Sequence, residues 1–190
     1  MYYHAAKSFS PPMHRYETDN LMSHSKVTLG LSNPKSPTNV GAALRAAGCF
    51  QADSILYTGE RYNRAAAFCT DTQNRSDSIP LTGVSCLIEC APEGAKIVVI
   101  ELVENAESLA DFQHPDNAFY IFGPEDGTVT QKVVNKADSV VYIPTRGCLN
   151  LAATVNVVLY DRLAKSSQRE EGNELIRQSR DMNNRIKVKL

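Results

Sequence analysis

The amino-acid sequence predicts an α/β fold built on a parallel sheet. From Lys26 onward, short β-rich runs alternate with helical stretches, and the β-rich runs are apolar at successive positions. Strands that are apolar on both faces belong to parallel sheets covered by helices on each side. A chain of 190 residues with 43% hydrophobic residues is enough for one compact domain of this kind.

Five segments are predicted as strands because β-branched and aromatic residues dominate them: residues 27–31, 54–58, 96–102, 118–122 and 139–143. Five further segments have helical character: residues 40–47, 85–90, 105–112, 130–135 and 149–164. The stretch 60–83 is the least regular, with a short helical core at 65–68. We expect it to be either a substrate loop or a surface excursion.

The first 25 residues have no apolar period and contain Pro11-Pro12, so residues 1–25 are predicted to be a disordered leader. They hold no apolar stretch that could act as a secretory signal. Apolar runs such as residues 97–100 are far shorter than the ~20 residues of a membrane helix. The sequence therefore predicts a cytoplasmic protein with no membrane partner.

The five cysteines are odd in number and scattered over a hundred residues, which does not suggest a disulfide framework. We expect reduced thiols that pack as small core hydrophobes. Cys86 and Cys90 lie four residues apart, but no second Cys/His pair at metal spacing completes a site. No metal site is predicted.

The charge is divided unevenly along the chain. Residues 164–190 carry seven Lys/Arg and four Asp/Glu, a balance of +3, while the remainder carries thirteen and seventeen, a balance of −4. We therefore treat residues 166–190 as a basic C-terminal segment following a main domain at 26–165. A local basic patch permits phosphate binding, although a run of charges is also typical of a solvated tail.

The segment Asn39 to Ala47 predicts a helix made almost wholly of small residues. Thr38 or Asn39 could cap its start, and Gly48 could end it. Arg45 is its single long polar side chain, and we expect it to lie near the positive end of the helix, where a phosphate would also be attracted.

Two further segments follow predicted strands. One is Phe122-Gly123-Pro124-Glu125, in which Gly123 would let a flat ring lie against bare backbone. The other is Ile143-Pro144 followed by Cys148-Leu149-Asn150, at the start of an apolar helix. Ligands of α/β sheets gather at the carboxyl ends of strands. The alternative to a functional role is a structural one: an ordinary turn at Asp126-Gly127 and a helix cap at Asn150.

In this order and spacing, the three segments resemble the SpoU/TrmH family of SPOUT RNA methyltransferases over residues 26–165. The resemblance implies a parallel-sheet α/β SPOUT methyltransferase fold with a C-terminal trefoil knot, a homodimer, and methylation of a ribose 2′-hydroxyl of tRNA or rRNA. It implies catalytic roles for Arg45, Asn39, Glu125 and Asn150. It also implies an S-adenosylmethionine site formed by Leu102, Phe122, Gly123, Pro124, Ile143, Pro144, Cys148, Leu149 and Asn150.

The sequence departs from the family pattern at two positions. Cys148 replaces a serine, and the glycine after Glu125 comes one residue early, at Gly127. These departures keep open a catalytically weak or inactive SPOUT-like RNA-binding module as the alternative. A Rossmann oxidoreductase is less consistent with the sequence, because no Gly-x-Gly-x-x-Gly follows the first strand.

Overall fold

The computed structural model describes residues 26–66 and 79–189. Its centre is a seven-stranded sheet in the order β3-β2-β1-β6-β4-β7-β5, in which every neighbouring pair is parallel. The strands are β1 (Val27–Leu31), β2 (Ser54–Tyr57), β3 (Leu81–Gly83), β4 (Lys96–Ile100), β5 (Glu107–Ser108), β6 (Ala118–Phe122) and β7 (Ser139–Tyr142). The predicted α/β class with a parallel sheet is confirmed.

In the described part of the chain, five helices connect or follow the strands: α1 (Pro37–Cys49), α2 (Arg61–Ala66), α3 (Gln131–Val134), α4 (Leu151–Lys165) and α5 (Asn173–Ser179). The longest of them, α4, has 15 residues. Across residues 26–66 and 79–189, no helix has the length and apolar character needed to cross a membrane.

The sheet separates two apolar clusters, as its alternating side chains require. On β6, Ala118, Tyr120 and Phe122 belong to one cluster, and Phe119 and Ile121 belong to the other. The first cluster is the larger and includes the buried residues of α1 and all but one of those of α4, and these two helices pack against each other. These two helices therefore lie on one face of the sheet, close to the ends of its central strands.

Two of the predicted helices are wrong. Residues 87–90 form a turn, which a proline at position 92 soon follows. Within 105–112 the chain forms β5 and pairs with β7. Asn105 takes a left-handed backbone with φ of 65°, which interrupts a helix, and pairing with a buried neighbour then outweighs local helix propensity.

Two observed elements have weak sequence signals. Strand β3 has three residues and lies at the sheet edge, and α5 has seven residues, none of them buried. The predicted helical core at 65–68 falls partly on α2, while its last two residues lie outside the described part of the chain. The predicted leader, residues 1–25, also lies outside it.

A partly buried polar cluster links α4 to the loop that precedes β6. His114 Nδ1 is 2.6 Å from the Tyr120 hydroxyl, and His114 Nε2 is 2.9 Å from Asp161 Oδ2. Arg162 donates to the same hydroxyl at 3.0 Å, and Lys165 pairs with Asp161 at 2.7 Å. A neutral imidazole satisfies this arrangement, because Nε2–H donates to the carboxylate while Nδ1 accepts from the hydroxyl.

Burial lowers the pKa of His114 and outweighs the opposing effect of Asp161. Burial likewise raises the pKa of Tyr120 to about 12. Both groups are therefore held neutral near pH 7, as the hydrogen bonds require.

We expect the stability conferred by His114 to decrease as the pH falls below its unfolded pKa of 6.5. Because the folded pKa is the lower one, the unfolded chain takes up the proton first. Urea unfolding of wild type and His114→Gln at about pH 7.5 and about pH 5.5 measures this. The wild-type advantage should shrink at the lower pH; an advantage independent of pH would contradict the assignment.

Candidate active site

A cavity of about 370 Å³ opens at the carboxyl ends of the central strands. Strands β6, β4 and β7 are consecutive in the sheet, so the loops that follow them meet at one edge. The start of α1 closes one side and the start of α4 another. The lining residues are Asn39, Ile100, Glu101, Leu102, Phe122, Gly123, Pro124, Glu125, Gly127, Ile143, Thr145, Cys148, Leu149, Asn150, Leu151 and Thr154.

Glu125 binds the segment that leads into α1. Its Oε2 accepts from the Lys35 backbone N–H at 2.9 Å, and its Oε1 accepts from Ser36 N–H at 3.0 Å and Asn39 Nδ2 at 3.1 Å. This carboxylate joins the second and first sequence motifs directly, across 86 residues. Glu125 also lies in the turn that was predicted at Asp126-Gly127. The interpretation of this segment as a turn and its interpretation as part of the site are therefore compatible.

The hydrogen bonds to Glu125 change its acidity. Partial burial acts to raise its pKa, but the donors from Lys35, Asn39 and Ser36 outweigh burial, and the pKa lies below the ordinary value. Beside it, the hydrogen bond from Arg61 at 2.8 Å lowers the pKa of Asp126 and links α2 to the same loop. Both carboxylates are therefore ionised near pH 7.

The cap of α1 differs from the prediction. Ser36 is the capping residue, with Pro37 directly after it, and its Oγ accepts from Asn39 N–H at 3.3 Å. The helix continues through Gly48 to Cys49, and Gln51 takes the left-handed position, with φ of 56°. Because Ser36 caps the helix, the amide side chain of Asn39 is available to Glu125.

Asn150 caps α4 and lines the cavity at the same time. Its Oδ1 accepts from Ala153 N–H at 2.7 Å. The predicted cap is therefore present, and it fixes the side chain at the cavity wall. Cys148 is an exposed free thiol in the adjoining loop.

Glu101 also lines the cavity, although the sequence prediction gave this side chain no role of its own. It follows β4, where its Oε1 accepts from Leu102 N–H at 2.9 Å and its Oε2 accepts from Val129 N–H at 3.1 Å. A Cβ built on Gly123 would lie 2.7 Å from this Oε2, so a side chain at position 123 would require the Glu101 carboxylate to shift. The available signal was a carboxylate placed at the end of an apolar strand.

Two of the predicted site residues are not among those lining the cavity. Pro144 is one, and Arg45 is the other. Arg45 is exposed on α1, more than two turns beyond the capping residue, so the predicted position near the positive helix end is wrong. The other predicted catalytic and cofactor residues, from Asn39 to Asn150, share the cavity.

The part of the chain that the structure describes has no group of three or more His, Cys, Asp or Glu suited to a metal ion. Cys49, Cys90 and Cys148 are exposed, so for them the predicted core packing is wrong. Cys69 lies outside the described residues.

Comparison with known proteins shows which family this chain belongs to. The pattern of the SpoU rRNA Methylase family matches residues 26–160, which include every cavity residue. The chain belongs to the SpoU methylase family. The resemblance predicted from the three motifs is confirmed.

Individual SpoU relatives are more distant. An uncharacterized tRNA/rRNA methyltransferase of Mycobacterium leprae is 26% identical over 162 residues, which cover 78% of this chain and 52% of the relative. The chain thus spans about half the length of that curated relative.

Solved structures share the fold at low identity. An AdoMet-bound rRNA methyltransferase from Sinorhizobium meliloti is 18% identical with a TM-score of 0.60, covering 74% of this chain and 57% of that one. A TrmH/SpoU tRNA modifying enzyme from A. aeolicus is 18% identical with a TM-score of 0.58, covering 73% and 74%.

Proposed function

We propose that this SpoU protein is an S-adenosylmethionine-dependent methyltransferase that modifies a ribose 2′-hydroxyl of tRNA or rRNA. The observation that carries the proposal is the convergence of three separate motifs on one cavity, joined by the hydrogen bond from Asn39 to Glu125. The solved relative with AdoMet bound and the tRNA- and rRNA-modifying relatives support the same cofactor and substrate class.

The cavity residues fit this cofactor. Leu102, Phe122, Ile143 and Leu149 supply apolar walls for an adenine ring, and Gly123 presents bare backbone where a side chain would collide with Glu101. Backbone groups at the strand ends and the Asn150 amide would fix orientation. When bound, the cofactor supplies an electrophilic methyl group on a sulfonium.

Arg45 would act on the nucleotide and not on the cofactor. A guanidinium has no acceptor and is a poor base, so we propose that Arg45 stabilises the developing alkoxide and holds the phosphate, with the proton passing to phosphate or water. Glu125 and Asn39 would fix the start of the helix that carries Arg45, and Asn150 would fix the opposite wall.

Because Arg45 lies outside the cavity of its own chain, we propose a homodimer in which it reaches the partner's cavity. The exposed apolar side chains of α4 support this: Val157, Tyr160 and Leu163 are 36%, 64% and 41% exposed. A stripe of this kind is typical of an interface. Sedimentation equilibrium tests it, because a monomer at micromolar concentration would rule out a partner-supplied arginine.

Two finer features belong to the same proposal. We propose that the chain segment after β7 threads through a loop to form the trefoil knot, as the family resemblance implies. We also propose that the protein acts in the cytoplasm, because tRNA and rRNA are its proposed substrates.

Calorimetric titration with S-adenosylmethionine tests the function. We expect saturable binding, and transfer of labelled methyl to total tRNA or rRNA. Absence of binding at millimolar cofactor, with the protein folded, would contradict the proposal. Cofactor and RNA binding without turnover would support the alternative of an inactive RNA-binding module.

We further propose that the basic C-terminal segment contacts RNA phosphates. Arg169 pairs with Glu171, and Arg177 pairs with Glu174. Within the described residues, Arg185, Lys187 and Lys189 have no such ion pair and are exposed. These three cations are therefore available to phosphate.

Replacing Arg185, Lys187 and Lys189 with glutamine should weaken RNA binding and lower its salt slope by about one per lost phosphate contact. Removal of residues 166–190 should have at least the same effect, with little change in cofactor affinity. The control is Arg169→Gln with Arg177→Gln, which removes cations already paired. A full salt slope in the triple variant would identify the segment as a solvated tail.

A further inference from the structure

Among the residues that the structure describes, the cavity wall carries negative charge without a balancing cation. The described lining includes the carboxylates of Glu101 and Glu125 and no Lys, Arg or His. Carboxylates in a cleft with apolar walls act on a ligand more strongly than they would in open water. The cavity is therefore suited to a ligand that carries positive charge.

The two carboxylates differ in the number of hydrogen bonds that they accept from the protein. Glu125 accepts three hydrogen bonds, all from the segment at the start of α1, where the helix end is positive. Glu101 accepts two, both from backbone N–H groups, and has no ion pair within the described residues. An ionised carboxylate has about four acceptor positions, so Glu101 keeps about two for a ligand.

We propose that Glu101 selects the cationic cofactor over its neutral product, an inference that rests on the proposed function. S-adenosylmethionine carries a sulfonium charge, and S-adenosylhomocysteine, which remains after methyl transfer, has a neutral thioether at that atom. A carboxylate in the wall attracts the first more than the second. Glu101 therefore favours cofactor loading and eases release of the product.

The hydrogen bonds of Glu101 give it a bracing role that must be separated from its charge. The bond from Val129 N–H joins the loop that follows β6 to the loop that follows β4, and the bond from Leu102 N–H lies within the second of these loops, so removing the side chain loosens both. A loosened cavity binds the two ligands less well in the same proportion. Loss of charge weakens only the binding of the cation, so the ratio of the two affinities distinguishes the roles.

The test is calorimetric titration of the whole protein with S-adenosylmethionine and, separately, with S-adenosylhomocysteine. In Glu101→Gln we expect affinity for the first to fall about tenfold and affinity for the second to change by less than about twofold, the order expected from losing one charge pair in a partly open cleft. The matched control is Glu104→Gln, which removes the same charge from an exposed position outside the cavity lining.

Glu101→Asp keeps the charge, so it should preserve the preference even where both affinities fall. This variant also provides a test if the glutamine variant does not fold. An equal loss of both affinities in Glu101→Gln, or loss of the preference in Glu101→Asp, would overturn the selection role while leaving the proposed function intact. Wild-type protein that binds neither ligand would overturn the proposed function, and the inference with it.

Discussion

Arg45→Ala should abolish methyl transfer while leaving the fold and cofactor binding nearly unchanged. Arg45 is exposed on a helix of small residues and does not line the cavity, so its removal opens no core void and touches no cofactor contact. It would remove a charge-assisted contact worth roughly 1.5 to 3 kcal/mol, together with its stabilisation of the developing alkoxide.

Turnover of labelled cofactor on total tRNA and on rRNA measures this effect. Arg45→Lys should fail almost as badly, because a point charge cannot replace a planar fork that holds ribose and phosphate together. The control is Lys132→Ala, which removes an exposed cation from α3. If Arg45→Ala keeps more than about a tenth of wild-type activity, a barrier change below ~1.4 kcal/mol, Arg45 has no part in the mechanism.

Gly123→Val should abolish detectable cofactor binding. Even a Cβ at this position would lie 2.7 Å from Glu101 Oε2, so the carboxylate would have to shift and its hydrogen bond with Val129 N–H would be disturbed. The two further methyl groups of valine would crowd the cavity in addition. We expect Gly123→Ala to bind about tenfold more weakly than wild type, since a single collision is relieved at a cost of about 1–3 kcal/mol.

Calorimetric titration measures the loss, with Gly147→Ala as the matched control. A Cβ on Gly147 meets no atom within 4 Å, and this glycine lies in a neighbouring loop outside the cavity lining. Binding by Gly123→Val within about twofold of wild type would show that the cofactor does not lie against this backbone.

The central strands and most of the site were predictable because their signals are local. The runs of β1 and β6 are buried at every position and mostly apolar, and Gly123, Glu125 and Asn150 lie just after a strand or just before a helix. Neighbouring parallel strands end at one edge of a sheet, so residues placed there in sequence meet in space.

What the sequence did not predict depends on distant partners. Ser36 caps α1, so the Asn39 side chain is not needed as a cap. Its amide donates instead to Glu125, which lies 86 residues away in the sequence. The stretch around Glu107 has helical composition, but it forms a short strand because it pairs with the edge of β7. The role of Glu101 depends on its contact with Val129 and on the space left by Gly123. None of these contacts leaves a periodic pattern.

The central claim is that this cavity directs a methyl group to a ribose 2′-hydroxyl of RNA. The most direct measurement is mass-spectrometric mapping of ribose methylation in RNA from cells with and without this protein. We predict a 2′-O-methylated nucleotide, in tRNA or rRNA, that is present with the protein and absent without it. Identical ribose methylation in the two RNA populations, or a missing methyl group that maps to a base, would contradict the account.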